Sequence, residues 1–226
     1  GSPAQSLNTE KRVLTLSTGE KISYDGLIIA TGSVVRRLTD EPDWKGIHVV
    51  RTLDDSLALR AELNPGTRVV VIGAGFIGLE VAATARARGC EVVVLEGADA
   101  PMMRGLGAEM GHAAAMVHGD NGVTLAFNVR VTGLAQGQPG HVGGVNVQDG
   151  PMIVADVVVV GIGVSPATQW LDGTSLTLRD GVVCDETLNA GIEGVYAAGD
   201  VCRWYNNLYD KEMRVEHWTT ASEQGA

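Results

Sequence analysis

Three glycines and one acid carry the most specific chemistry in this 226-residue sequence. Gly73, Gly75 and Gly78 stand at G-x-G-x-x-G spacing, and Glu96 closes the second of the two apolar runs that bracket them. These residue types at these positions suit a dinucleotide. Gly73 lets the chain leave a strand in a tight turn, Gly75 has no Cβ to obstruct a pyrophosphate, and Gly78 lets helix and strand pack closely. The N–H groups that open the helix then face the phosphates. Glu96 falls where a carboxylate accepts hydrogen bonds from the adenosine ribose hydroxyls, and its charge repels a 2′-phosphate. No basic residue follows it until Arg104, so NADH is favoured over NADPH. Taken alone, the fingerprint also fits a glycine-rich loop of an unrelated α/β protein; the strand, helix and acid around it select the dinucleotide.

Positioning these residues takes a strand, a helix and a second strand. The apolar run from Arg68 to Ile72 supplies the first. In the helix, Ile77, Val81 and Ala85 recur every four residues with Ala82 and Ala83 beside them, while Arg86 and Arg88 fall towards solvent. Gly89 is a good C-cap. The second apolar run ends on Glu96.

Composition narrows the class. Hydrophobic residues make up 45% of the chain, ample for a core, and no apolar run is long enough to span a bilayer. A soluble, globular, cytoplasmic protein is expected, without a secretory signal at the N-terminus. The net charge of −10 argues against general affinity for nucleic acid or acidic membranes. Cys90, Cys184 and Cys202 are widely spaced and form no C-x-x-C, so neither a disulfide framework nor a zinc site is indicated. His48, His112, His118, His141 and His217 lack metal-ligand spacing.

Taken in order, the chain opens on GSPA, a cloning scar or a native loop. Alternation over residues 12–16 and 21–23 about Thr18-Gly19 predicts a β-hairpin. Leu27 to Ala30 reads as a buried parallel strand stopped by Thr31-Gly32, the kind of strand end where open α/β sheets bind ligands. A polar connection containing Arg36, Arg37, Pro42 and Trp44 follows. Thr52 and Asp55 form a capping-box pattern for a helix to about Leu63. Beyond Glu96, Pro101 to Arg104 reads as a loop, 108–118 as a helix, and 123–127, 129–131, 142–147 and 152–160 as strands. The last ends at Gly161 to Gly163. Val182-Val183 is a short strand, Leu188 to Gly194 a loop, and Val195 to Ala198 a buried strand ending in Gly199-Asp200. Asp200 suits either a sugar hydroxyl or metal, or a cap for a following helix. The final helix opens near Thr219.

Three motifs thus stand in one order: ATG at Ala30 to Gly32, GAGFIGLE at Gly73 to Glu80, and VYAAGD at Val195 to Asp200. Together they resemble the pyridine-nucleotide-dependent flavoprotein reductases. The closing VEHWTTASEQG resembles the ferredoxin reductase branch serving aromatic-ring dioxygenases and cytochromes P450. The resemblance implies an α/β fold: a Rossmann-like NADH domain, a βαβ unit plus β-meander at 46–170, inserted in a partial, discontinuous FAD-binding Rossmann-like domain at 1–45 and 171–226. It places Ala30, Thr31 and Gly32 against FAD, with Gly199 and Asp200 at the ribityl chain. In the NADH domain it implicates Gly73, Gly75, Phe76, Ile77, Gly78 and Glu96, with Arg104 near the adenosine and Gly163 near the nicotinamide. Glu80 matches a position facing nicotinamide and flavin, or is a first-turn acid that complements the helix dipole. Trp218, flanked by Glu216 and His217, matches an aromatic near the flavin; without the resemblance it reads as a core residue.

By the same resemblance, hydride passes from NADH to flavin, and single electrons then pass to an acidic [2Fe–2S] ferredoxin, for which Arg36, Arg37 and Lys45 are scattered docking candidates. The protein's part is to hold nicotinamide against isoalloxazine at roughly 3 to 3.5 Å. The family also carries an N-terminal glycine fingerprint for FAD and a C-terminal interface domain. Neither lies in this sequence, which is therefore expected to be a fragment. The turn from Gly163 to Thr168 also lacks the family's asparagine after proline. Disulfide reductases and NADH oxidases of the same superfamily are the enzymatic alternatives, and a regulatory NADH-binding flavoprotein without turnover is the non-enzymatic one.

Overall fold

A computed structural model describes residues 1–226. Its contacts divide the chain into two compact units, Val35–Gly163 and the discontinuous pair Gly1–Val34 with Val164–Ala226.

The unit Val35–Gly163 is built on a five-stranded parallel sheet in the order Ile47–His48, Val157–Val160, Arg68–Ile72, Glu91–Leu95, Val123–Ala126. The central strands are unbroken apolar runs because both of their faces are covered. Successive side chains point to opposite faces. Val69, Val71, Val92, Val94, Val157 and Val159 meet Leu79, Ala82 and Ala85 on one side. Val70, Ile72, Leu95, Val158 and Val160 meet Val142 and Val145 on the other. Each such fully buried valine contributes roughly 1.5–3 kcal/mol.

Helix α1, Leu53–Glu62, opens on the Thr52 and Asp55 capping box with both reciprocal bonds formed. Helix α2, Phe76–Ala87, follows the glycine turn. It ends at Arg88, with Gly89 one place beyond the cap. Arg86 and Arg88 lie outermost as expected, yet their guanidinium groups are engaged, Arg86 with Cys90 O and Arg88 with Leu63 O. The covering layer on the second face is an antiparallel meander, Val131–Gln136, Val142–Val147 and Ile153–Val154.

Several boundaries differ from the sequence reading. Helix α3 spans Met103–Asp120 rather than 108–118, broken at Gly107 with φ 75° and ψ 175°. The helix thus takes in part of the expected 101–104 loop. The strand expected at 129–131 begins at Val131, since Asn128 takes a positive φ and turns the chain. The long strand 152–160 is two, interrupted where Asp156 turns out to meet Arg68.

The other unit holds three small three-stranded sheets, and Val164–Pro166 pairs with Ser33–Val35 in a two-stranded one. Ala4–Asn8, Val13–Leu16 and Lys21–Ser23 form the antiparallel hairpin layer. Leu27–Ile29 runs parallel to Val195–Ala197, which pairs with Asn189–Ile192. Residues 188–194 are therefore a strand and hairpin turn instead of a loop. Val182–Cys184 runs parallel to Cys202–Asn206, which turns back into Lys211–Met213. Val164–Pro166, expected as a turn, is a short strand. Ile29, Leu171, Val182, Val195 and Val201 centre the core, and helix α4 is Trp218–Gln224. No helix of the protein is long and apolar enough to cross a membrane.

Candidate functional site

The glycine turn separates two kinds of glycine. At Gly73, with φ +99°, a Cβ would lie 2.4 Å from the Gly161 carbonyl oxygen, and at Gly78 it would lie 2.1 Å from that of Gly73. Both positions are closed by backbone. At Gly75 a Cβ would meet nothing within 4 Å. Gly75 is the N-cap of α2, and no side chain caps that helix. Its opening N–H groups are left for an anion, with the space above Gly75 free for it.

Glu96 is tied into this turn from the neighbouring strand. One carboxylate oxygen accepts from the Ala74 N–H at 2.7 Å and the other from the Ala98 N–H at 2.9 Å. A carboxylate has about four acceptor sites, so both oxygens keep capacity for hydroxyl donors. The Met102 N–H donates to the Ala74 carbonyl at 3.0 Å, and Gly105 packs on the Phe76 ring. These contacts bring the exposed Arg104 segment to the turn. Phe76 and Ile77 are exposed apolar side chains in the first helical turn.

Glu80 is exposed and lies past the first turn, which holds no acid. This removes its reading as a first-turn partner of the helix dipole, a field that acts within one turn. Gly163 is exposed, and its carbonyl accepts from the Arg36 N–H at 3.0 Å.

In the other unit, Leu27–Ile29 and Val195–Ala197 are parallel neighbours, so the motifs that follow them share one end of the sheet. Ala30 and Thr31 are exposed there. The Thr31 hydroxyl donates to the Ala167 carbonyl at 2.9 Å, and the Ala167 N–H donates to the Gly32 carbonyl at 3.0 Å. Asp200 sits in a single 3-10 turn, Gly199–Val201, that leads into a strand. It therefore caps no following helix. The Ser33 hydroxyl donates to its carboxylate at 2.8 Å. No group of three or more His, Cys, Asp or Glu side chains is arranged to hold a metal ion.

Three residues here were missed from the sequence. Ser33 is the one polar residue of the protein that is buried as a whole. Arg214 donates to the Asp200 carbonyl at 3.1 Å and to Glu216 at 2.6 Å. Burial works against its charge, but Asp180 and Glu216 outweigh it and raise its pKa further. Gln224 accepts from the Gly199 N–H at 2.8 Å and leaves its own Nε2 buried without a partner. A buried donor left so costs about 1–3 kcal/mol, which a hydrogen-bonding ligand would relieve. Ser33 alone had a local signal, its place directly after ATG.

Trp218 is 77% exposed, which overturns its reading as a core residue. His217 caps α4, accepting from the Thr219 N–H at 3.2 Å, and its ring stacks towards Trp218 with centroids 6.2 Å apart. All three cysteines are buried free thiols. Cys184 and Cys202 lie together, the hydrogen bond between them lowering the pKa of Cys184 and raising that of Cys202.

The concavity of about 580 Å³ between the C-terminal halves of α2 and α3 is lined by Ala83, Ala87, Val117 and His118. Its Arg86 is spent on backbone carbonyls, so it lacks the free N–H array and carboxylate of the glycine turn.

The family model described as pyridine nucleotide-disulphide oxidoreductase matches residues 1–225. Among curated proteins, the ferredoxin–NAD(+) reductase component of the anthranilate 1,2-dioxygenase system of Burkholderia cepacia is 37% identical over 230 residues, covering 100% of this chain and 55% of that protein. Putidaredoxin reductase of Pseudomonas putida is 31% identical over 229 residues, covering 99% of this chain and 54% of its own. Among solved structures, a ferredoxin reductase for the CYP199A2 system from Rhodopseudomonas palustris superposes with TM-score 0.93 at 36% identity, over 99% of this chain and 55% of that one. A covalent putidaredoxin reductase–putidaredoxin complex gives TM-score 0.93 at 30% identity, over 99% and 55%. The chain spans about half the length of these relatives.

Proposed function

Because the chain belongs to the pyridine nucleotide-disulphide oxidoreductase family, we propose that it is the nucleotide-binding part of an NADH-dependent flavoprotein reductase serving a ferredoxin-type [2Fe–2S] protein. The observation that carries this reading is Gly75. Its missing Cβ faces open space at the uncapped start of α2, while its two companion glycines are closed by backbone.

When bound, NADH and FAD supply the redox chemistry, hydride transfer followed by single-electron release. This chain's residues bind and orient. The N–H groups from Gly75 onward take the pyrophosphate. Glu96, pinned by Ala74 and Ala98, offers its remaining lone pairs to the adenosine ribose and repels a 2′-phosphate. Phe76 and Ile77 supply apolar surface beside the phosphates, with Arg104 towards the adenosine end. Gly163 and Glu80 are assigned to the nicotinamide side. On the flavin side, Ala30, Thr31 and Gly32 approach the cofactor, and Asp200, held by Ser33, accepts from the ribityl hydroxyls. Glu216, His217 and Trp218 border its ring. The named ferredoxin-dependent relatives support the choice of acceptor.

The test is a pair of titrations of this chain with NADH and NADPH, followed by anaerobic flavin reduction and ferredoxin reduction in the longest form of the protein. Tighter binding of NADPH would sink the role given to Glu96. Slow flavin reduction with no electron transfer to a ferredoxin would favour the regulatory alternative.

A further inference from the structure

The flavin assignment leaves Arg214 without a role, although its side chain is only 9% exposed. It belongs to none of the three sequence motifs. Its guanidinium nevertheless gathers oxygen atoms from three separate segments. Nε and Nη2 engage both carboxylate oxygens of Asp180 at 3.3 and 3.1 Å. Nη1 alone donates both to the Asp200 backbone carbonyl at 3.1 Å and to the Glu216 carboxylate at 2.6 Å.

That shared nitrogen is the informative feature. Asp200 carries the carboxylate assigned to the ribityl chain, and Glu216 stands two residues before Trp218. A planar guanidinium fixes its donors in one fork, so a side chain held bidentately by Asp180 has no freedom left in where Nη1 points. The stem is held as well, because Gly181 lies where a Cβ would come within 3.1 Å of Arg214 Cδ. The Gly199–Asp200 turn is gripped from its other side by Gln224, which accepts from the Gly199 N–H. The Asp200 backbone is thus fixed at both ends, and its side chain is directed by Ser33.

We propose that Arg214 is the positioning residue of the flavin site, its Nη1 joining the Asp200 carbonyl to the Glu216 carboxylate and so setting the ribityl-binding acid relative to the Trp218 segment. The proposal rests on the flavin assignment made above. Arg214 acts through Asp200 and Glu216 and makes no contact with the cofactor.

The experiment compares the longest form of the protein with its Arg214→Lys and Asp180→Asn variants. FAD affinity is measured by fluorescence titration and the bound flavin by visible circular dichroism, with melting temperature and NADH affinity recorded beside them. Lysine keeps the charge but cannot present donors to Asp180, Asp200 and Glu216 at once. The expected result for Arg214→Lys is FAD binding weakened about tenfold or more, an altered flavin dichroism at saturating FAD, and unchanged NADH affinity. FAD affinity within about twofold of the parent chain, with the same dichroism, overturns the proposal while leaving the flavin assignment standing. If Arg214→Lys does not fold, Asp180→Asn decides, since Asp180 is half exposed. It should weaken FAD about threefold by loosening the fork, and no change overturns the proposal. Failure of that longest form to bind FAD overturns the flavin assignment, and this proposal with it.

Discussion

The two units hold their strand-end turns by unequal means. In Val35–Gly163 the turn is shaped by backbone: Gly73 and Gly78 sit where carbonyl oxygens leave no room for a Cβ. In the discontinuous unit the Gly199–Asp200 turn is shaped by side chains arriving from Ser33, Arg214 and Gln224. The sheets differ in the same sense. Val157–Val160 is buried at every residue, whereas Ile28 and Tyr196, paired in register, are both exposed on their sheet. A turn fixed by backbone inside a sheet covered on both faces is stiff and tolerates no added methyl at Gly73 or Gly78. A turn fixed by side chains on a half-covered sheet is adjustable and gains from any ligand that ties it down.

The largest expected effect tests the stiffness. Gly78→Ala drives a methyl into the Gly73 carbonyl, a clash with backbone that no rotamer relieves, and should cost about 3 kcal/mol in urea denaturation. Gly75→Ala should do the opposite, leaving stability unchanged or raised by about 0.4–1 kcal/mol. Its methyl enters the space assigned to the pyrophosphate, so NADH affinity should fall about tenfold or more. A Gly75→Ala protein that binds NADH normally would remove the nucleotide from this turn.

The next effect belongs to the other unit. Asp200→Asn keeps an acceptor for Ser33 but loses the charge that strengthens hydrogen bonds to the ribityl hydroxyls. FAD affinity should fall about tenfold, with NADH affinity and the melting temperature of the apo chain unchanged. A loss of NADH binding in this variant would break the separation of the two sites. Smaller again is Thr52→Ala, which removes half of the α1 capping box. It should cost about 1 kcal/mol by chemical denaturation while leaving FAD affinity alone.

The same contrast explains what could be read in advance. Gly73, Gly75, Gly78 and Glu96 are close in sequence, and each residue type has one physical reason to be there, so the parallel sheet and its turn were legible. The Thr52 box was legible for the same reason. Arg214 was not, because its partners lie 34, 14 and 2 residues away and only the last is local. The link from Glu96 to the Ala74 N–H was hidden too, although Glu96 itself was found. Strand lengths failed where one residue interrupts an apolar pattern: Asp156 looked tolerable inside a strand over 152–160, but it is turned aside to meet Arg68. Trp218 failed as a core residue because an aromatic side chain gives hydropathy but no direction.

That Asp156 pair supplies the smallest effect. Asp156 accepts from the Arg68 N–H and Nε, both at 2.9 Å, and from Nη2 at 2.5 Å. Hydrogen bonding from the Arg68 side chain, with the Arg68 N–H and charge adding to it, holds the Asp156 carboxyl below its usual pKa although burial opposes this. A lowered acid stabilises the fold fully above its unfolded pKa of about 3.9 and ceases to do so as pH falls through the folded value. The deficit of Asp156→Asn should therefore be greatest near neutral pH and fade as pH falls through the lowered folded-state pKa. Salt should shrink it as well, because both side chains are nearly half exposed, 46% and 45%. The urea midpoints of the two proteins at neutral and acid pH, each at low and high salt, give the answer. A deficit that persists in acid would mean that Asp156 acts by shape and neutral hydrogen bonding alone. Asp156→Asn should also be milder than Asp180→Asn in its functional consequence, although both remove one carboxylate from an arginine. The strands joined by Arg68 and Asp156 are already locked by buried valines, whereas Glu216, reached through Arg214, lies outside every strand and helix.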